Sequence, residues 1–380
     1  EVAHEQAAAM MADGYSRVGS NLGVTMSTSG PGATNLITGI CCSWFDSIPT
    51  LHITGQVNTF EQRGAQQGTQ KTRQIGFQET DIVNIVTSIT KYAVKLDNPK
   101  KIKYEFEKAF YESQNNRKGP VLIDIPVDFQ NIKSNSIKSI NYINKYKPKI
   151  NLINFDKKIT KVIQLIKLSK KPIILLGGGV RHSNSIQSFN LLVKTLKMPV
   201  ISTWSGIDCI DSKNQFYFGT LGVYGTKYSN LIVQKSDLIL SIGSRLDTRI
   251  TGGKPNTFAK NAKKIIVDID KNEISKRRGV TPNLSFDCDS KIFIDRLIRK
   301  LKHYKNEEGS WRKYCKSVKK ENPIINKGYL NQKKHVNPYI FFDTLSNLTN
   351  KKDIIVGDTG AHLSWFMQSF KQKLGQRIFS

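Results

Sequence analysis

Cysteine is scarce in this 380-residue chain, which holds five, at positions 41, 42, 209, 288 and 315. They form no CxxC pair and no even framework, which argues against disulfide staples and a structural zinc site and fits a reducing, cytoplasmic setting. Long apolar runs are missing as well. None approaches the roughly 20 residues of a membrane helix, and the opening EVAHEQAAAM has no basic stretch followed by a hydrophobic one, so neither a membrane nor a secreted protein is expected. Acidic residues are few, 30 against 58 Lys and Arg, which leaves a formal net charge of +28. The excess is mostly Lys, spread beside Asn and Ile without the Arg and aromatic interleaving that reads bases, so no nucleic-acid partner is expected. Its densest stretch, residues 132–172, holds eleven Lys against the single acid Asp156, which reads as a solvated surface between better-patterned regions.

What is present is enough apolar residue, 38%, to bury more than one core, and two or three domains are expected at this length. Short apolar runs alternate with helical patterns, the sign of parallel sheets with helical crossovers. Strands are expected at 23–28, 51–54, 121–125, 172–176, 199–203, 237–242, 264–269 and 353–356. The chain therefore belongs to the α/β class, with three-layer, doubly wound, parallel-sheet domains. Polar stretches from Asp128 to about Leu152 and from Lys302 to Lys334 divide it into one domain over 1–135, a middle domain over 152–305 and the opening of a third over 336–380. Several apolar runs end in small or polar residues: TSGPG, TGQ, LLGGG, IGSRLD, DIDKN and VGDTG. Ligands of open parallel sheets bind beyond the carboxyl ends of the strands, so chemistry is expected at these endings.

Glu5 opens an Ala-rich helical stretch containing Met10 and Met11. Taken alone, it is a carboxylate stabilising a helix start. The next element is a strand, the tight turn Gly30-Pro31-Gly32 and a second helix, whose free amides face a ligand and whose glycines allow a close backbone approach.

HEQAAAMMADGYSR, TSGPGATNLITGI, DSIP, ITGQV, GFQETDIV and RKGPVLIDIP follow one another in an order that resembles thiamine-diphosphate enzymes. The resemblance is to acetolactate synthase (acetohydroxyacid synthase) catalytic subunits and to acetolactate-synthase-like proteins, and it covers essentially the whole chain. It implies a pyrimidine-binding domain over 1–135, a flavin-type domain over 152–305 and the start of a diphosphate-binding domain over 336–380. With no initiating Met and an unfinished last domain, the chain is expected to be an internal piece of a longer polypeptide.

By this resemblance Glu5 bonds the cofactor's aminopyrimidine at the ring nitrogen far from the amine and drives it toward the imino form that takes the thiazolium C2 proton. A partly apolar setting, offered by the Ala/Met helix, suits that task. Thr28, Ser29, Pro31 and Asn35 match the loop beside the aminopyrimidine, although a turn and a packed strand end account for them equally well. Gln56 matches a side chain near the reacting centre. In the middle domain LLGGGVR, GTLGVYGTKYSN, SIGSRLDTRITGG and IIVDID resemble the flavin domain of acetolactate synthases. Arg117, Gly222, Gly225, Thr226, Arg245, Asp247 and Asp268 fall on FAD-contacting positions, and Arg249 on that of the arginine facing the second substrate. His362 falls on a diphosphate-side position. Mg²⁺ is implied with ligands beyond Ser380, and no residue of the chain is assigned as a metal ligand.

Two departures stand out. The usual second acid of RFDDR is Thr248 here, and Ala361 replaces the usual Gln. The implied reaction is decarboxylation of a 2-oxo acid, with pyruvate expected, and transfer of the two-carbon unit to a second carbonyl. The departures keep two alternatives open: acetyl transfer to a keto-sugar or aldehyde in a sugar or envelope pathway, and a non-catalytic, cofactor-holding assembly subunit. The implied partners are a second copy, in a homodimer or tetramer with active sites at the subunit interface, and, in some relatives, a regulatory subunit.

Overall fold

The computed structural model describes residues 1–19, 21–133, 142, 152–276, 278–302, 304, 309–332 and 334–380. Most of the expected linker between Asp128 and Leu152 lies outside the described residues. The chain forms two compact units, 1–148 and 149–380.

In the first unit, strands β1 (Gly23–Ser27), β2 (Thr50–Gln56), β3 (Tyr92–Lys95) and β4 (Val121–Pro126) pair in the order β1-β2-β4-β3. Every pairing is parallel. One sheet face buries Leu36, Ile40, Ile82 and Leu122 under helices, and the other buries Leu51, Val121 and Ile123 against the helix Ile102–Gln114. This is the three-layer arrangement that near-continuous apolar strands require. The first helix, Glu5–Val18, is pressed against its neighbours: a Cβ on Gly39 would lie 2.4 Å from Ala9 Cβ, and one on Gly23 would lie 2.0 Å from Ala12 O. These contacts fix the helix that carries Glu5 at its start. His52, fully buried on β2, bonds Thr25 and Thr50 through its two ring nitrogens at 2.8 and 2.9 Å. Burial pushes its pKa down to about 3, so the ring is neutral.

The second unit holds a six-stranded sheet of β5 (Pro172–Leu176), β6 (Val200–Ser202), β7 (Tyr217–Thr220), β8 (Leu238–Ile242), β9 (Lys263–Asp268) and β10 (Leu284–Asp287). The order is β10-β9-β8-β5-β6-β7, parallel throughout, so connections leave β5 in both directions and a crevice opens at its carboxyl end. The helices Leu152–Leu168, Ile186–Leu196 and Ser290–Lys300 cover one face, and Lys227–Lys235 and Ser310–Glu321 the other. The parallel pair β11 (Ile354–Val356) and β12 (Arg377–Phe379) follows. Its neighbouring helix, Ala361–Ser369, buries Leu363, Phe366 and Met367 with Ile207. The doubly wound α/β class is therefore present in both units.

Strands β3, β7, β10 and β12 have no counterpart in the expected set. The first three are sheet edges of four residues each, and β12 has three. In β3 and β10 most residues are partly exposed, so these short edges need no continuous apolar run; β7 is buried throughout, and its four residues, with Gly219 and Thr220, are too few and too mixed to read as an apolar run.

Asp208, fully buried, joins β12 to the middle of the unit. It accepts from Arg181 Nε at 3.0 Å, from Arg377 Nη1 and from the Ile378 N–H at 3.0 Å. Asp208→Ala should cost about 3–5 kcal/mol, because it strands two partly buried guanidinium groups. Urea unfolding checks this; a loss below about 1 kcal/mol would show that the cluster is not structural.

Candidate active site

The helix Glu5–Val18 starts after His4, whose Nδ1 accepts from the Gln6 N–H at 3.1 Å. Glu5 thereby lands beside the turn that follows β1. Its Oε2 accepts from Asn35 Nδ2 at 3.0 Å. Gly30 takes φ +61°, and a Cβ there would strike Gln78 Cβ at 2.8 Å. A Cβ on Gly32 would lie 2.6 Å from Thr28 Cγ2 and 3.3 Å from Glu5 Oε1. The expected residues Glu5, Thr28 and Asn35 are thus brought together around the glycine turn. Pro31 opens the short helix Pro31–Asn35 and is exposed, and Ser29 is half-buried on the same turn.

The carboxylate of Glu5 is held below the usual range, first by the Asn35 hydrogen bond and then by its own backbone N–H. Met10 and Met11 are exposed. The apolar setting expected from the Ala/Met run is therefore absent within this unit, because that face of the helix is uncovered.

Gln56 is placed differently from its fellows. It is 4% exposed at the end of β2. Its Nε2 donates to Asp124 Oδ2 at 2.9 Å and to Thr80 O at 2.8 Å, and its Oε1 accepts from the Val57 N–H at 3.0 Å. Asp124 also accepts from Thr54 Oγ1 at 2.6 Å. Both ends of the Gln56 amide are occupied, so it braces the loop beyond β2.

Sequence reasoning missed Gln78 and Phe77. Gln78 lies in the left-handed region at φ +57°, a strained setting for a residue that is not glycine, and packs on Gly30; Phe77 beside it is 82% exposed. A Phe-Gln pair in a polar loop gives no sign of either property.

In the second unit the ends of β5 and β8 meet so closely that a Cβ on Gly177 would lie 2.0 Å from Gly243 O. Arg245 and Asp268 line one small cleft there, with Lys276 and Arg278. Asp268 closes β9 and accepts from the Asp270 N–H at 2.9 Å. Arg249 lines another cleft, where its guanidinium lies 5.9 Å from the centre of the Tyr224 ring and Tyr224 stacks on Trp204 at 5.4 Å. This Trp-Tyr-Arg stack was also missed, since its members are 20 or more residues apart. Gly222 (φ +103°) packs on Arg249 O, and a Cβ on Gly225 would lie 2.4 Å from Thr220 O. Asp247 and Thr226 instead serve as helix caps: Asp247 Oδ1 accepts from the Arg249 and Ile250 N–H groups at 2.8 and 3.2 Å, and buried Thr226 accepts from the Ser229 N–H at 3.3 Å. His362 Nε2 lies 2.7 Å from Asp358 O on its own turn. Arg117, in the first unit, donates from Nε to Ser47 Oγ at 2.9 Å.

Residues 1–85 match the family model "Thiamine pyrophosphate enzyme, N-terminal TPP binding domain", and residues 159–297 match "Thiamine pyrophosphate enzyme, central domain". The chain belongs to the thiamine pyrophosphate enzymes. It is 36% identical to the acetolactate synthase large subunit of Cyanidium caldarium, over 100% of this chain and 63% of that relative. It is 34% identical to the probable acetolactate synthase large subunit of Methanococcus aeolicus, over 99% and 63%, and 30% identical to the acetolactate synthase large subunit of Lactococcus lactis, over 99% and 62%. The chain thus spans just under two thirds of the length of these curated relatives.

The residues present suit the family's cofactor in one testable respect: Gly32, with no side chain, lets the turn pack directly on Thr28 and beside the Glu5 carboxylate, where any Cβ would collide with Thr28 Cγ2. Among the described residues no group of three or more His, Cys, Asp or Glu could hold a metal, and no helix is long and apolar enough to cross a membrane.

Burial raises the Asp124 carboxyl from its ordinary 3.8 to about 6, against the opposing hydrogen bonds of Thr54 and Gln56. Between those values the native state binds the extra proton, so stability should fall as pH rises from about 4 through 6 and stay level above it. Urea unfolding across this range should show that fall in the parent thiamine pyrophosphate enzyme and a flatter profile in Asp124→Asn; equal slopes would remove Asp124 as its source.

Proposed function

We propose that the chain is part of an acetolactate synthase, which decarboxylates pyruvate and joins the two-carbon unit to a second 2-oxo acid. The observation that carries this reading is the Glu5, Asn35 and Gly32 arrangement in a domain of the thiamine pyrophosphate family, supported by whole-chain similarity to acetolactate synthase large subunits. When bound, thiamine diphosphate supplies the electron sink that such a decarboxylation requires.

The chain's own residues divide the remaining tasks. Glu5 holds a proton at the pyrimidine ring nitrogen, and Asn35 fixes the carboxylate that does so. Thr28, Ser29 and Pro31 shape the turn against that ring, while Gln56 and His362 act as positioning residues. Arg245, Asp268 and the Gly222–Gly225 turn hold FAD or a similar nucleotide at the crevice beside β5, where a doubly wound sheet places such ligands; Asp247 and Thr226 cap the helices of that site. Mg²⁺ completes the cofactor set, and no ligand for it is assigned in this chain.

Arg249 grips the acceptor. It makes no ion pair among the described residues, and its neighbour Thr248 brings no competing charge, while Asp247 is engaged by backbone N–H groups and Arg245. A guanidinium on an aromatic stack without a carboxylate partner suits an anionic acceptor and favours a 2-oxo acid over a neutral keto-sugar end. The working form is a homodimer or larger homo-oligomer, a reading supported by the exposure of Met11, Met26 and Phe77 on the first unit.

In the holoenzyme, Glu5→Gln should leave folding intact and slow hydrogen–deuterium exchange at the cofactor's C2 by about 10²–10⁴-fold. Unchanged exchange would remove Glu5 from this role. Arg249→Ala should lower kcat/KM for the acceptor by about 1.5–3 kcal/mol and spare decarboxylation of the first pyruvate. Fast coupling to a keto-sugar that ignores this substitution, with only traces of acetolactate, would overturn the acceptor assignment.

A further inference from the structure

Away from the glycine turns, the second unit contains a cavity of about 420 Å³ between β7 and the segment Met367–Gln372, within the size range of small-molecule sites. β7 is the outer strand of its sheet, and the helix Ser310–Glu321 reaches it with Lys319. The Lys319 ammonium lies 3.5 Å from Tyr217 O, 5.6 Å from the centre of the Tyr228 ring and 5.9 Å from that of Phe218. It pairs with no carboxylate among the described residues, and burial lowers its pKa. The acid that lines the cavity, Asp343, is already paired with Lys371.

Gln372 supplies a second donor. It is 1% exposed, its backbone carbonyl accepts from the Ser212 N–H at 2.9 Å, and its side-chain amide faces the Tyr217 hydroxyl without a full hydrogen bond from Nε2. A buried amide donor short of a full hydrogen bond is uncommon in a folded protein and calls for an explanation. The same cavity is walled by Ile324, Ile325, Met367 and Phe370. An ammonium and an amide, both lacking anionic oxygen, therefore share one cavity with an apolar wall.

We propose that this cavity binds a small organic anion, whose carboxylate or phosphate oxygens are taken by Lys319 and Gln372 and whose apolar body lies on Met367 and Phe370. The site contains none of the residues assigned above to the reaction, although Met367 also walls the Arg249 cleft.

Calorimetric titration of the protein at low salt, with hexanoate, hexyl phosphate, hexan-1-ol and inorganic phosphate as probes, tests this. Hexanoate or hexyl phosphate should bind one to one, and whichever binds more tightly identifies the anion. Hexan-1-ol and inorganic phosphate should each bind at least about tenfold more weakly, since a hydrogen bond to a charged group is worth about tenfold or more. Lys319→Met should weaken the better probe by about tenfold or more, Gln372→Met by several-fold, and Lys319→Arg by less than Lys319→Met. Absence of binding by both anionic probes would overturn the proposal, as would equal affinity in the folded Met variants. Where those variants do not fold, methyl NMR of the parent decides: hexanoate must shift the Met367, Ile324 or Ile325 methyls, and shifts confined elsewhere refute the site.

Discussion

Because every strand in these sheets runs parallel to its neighbours, all the carboxyl ends of a sheet collect along one edge. Nothing pairs with the chain once it passes that edge, so it must turn at once, and the residues that permit sharp turns gather there. The GPG turn after β1, the glycines after β5 and β8 and the acid closing β9 are consequences of that one constraint. Glu5 joins them because its helix packs down on β1 and on the helix after the turn, with Gly23 and Gly39 where any side chain would hold the helices off. The site is therefore a property of the packing, and its polar residues occupy places that the apolar layers leave for them.

The central strands were legible in the sequence because both their faces are buried, as at Ile173–Leu176 and Leu238–Ile242. The edge strands β3 and β10 were not, since Tyr92–Lys95 and Leu284–Asp287 mix charge with apolar residues in proportions that loops also show. Glu5 and Asn35 were legible through the resemblance that sets both beside the cofactor's pyrimidine. The direction of the Gln56 side chain was not, because it depends on register: Thr54 faces Asp124 across the β2–β4 pairing, and this brings the Asp124 carboxylate within reach of Gln56 two residues on. The Trp204–Tyr224–Arg249 stack depends likewise on tertiary contact alone.

Scarcity of acid shapes the interior as much as the surface. With 30 acids against 58 bases, several of the buried carboxylates gather more than one donor. Asp208 receives two arginines and a backbone N–H, and Asp13 receives Arg17 and Ser43, while the half-buried Asp247 caps a helix. Each is positioned where removal would leave donors without an acceptor, which costs more than the bond itself contributes. Much of the Lys excess lies at exposed positions among the described residues. Net charge therefore describes the exterior of this protein and says little about its chemistry.

Arg249 shows how a single replacement acts through the same balance. An acid at position 248 would stand next to the guanidinium and offer it an internal partner, so a substrate carboxylate would have to compete with that acid. Thr248 offers none, and the carboxylate before it in sequence already accepts two backbone N–H bonds. The arginine is left on an aromatic face, a setting that orients the guanidinium plane without neutralising it. Without an acid there the charge of Arg249 has no such neighbour, and under the role proposed for Arg249 the field where an acceptor would sit is more positive for it. The departure from the usual motif, which taken as a pattern weakens the likeness to acetolactate synthases, strengthens on electrostatic grounds the fit to a second substrate that carries a carboxylate.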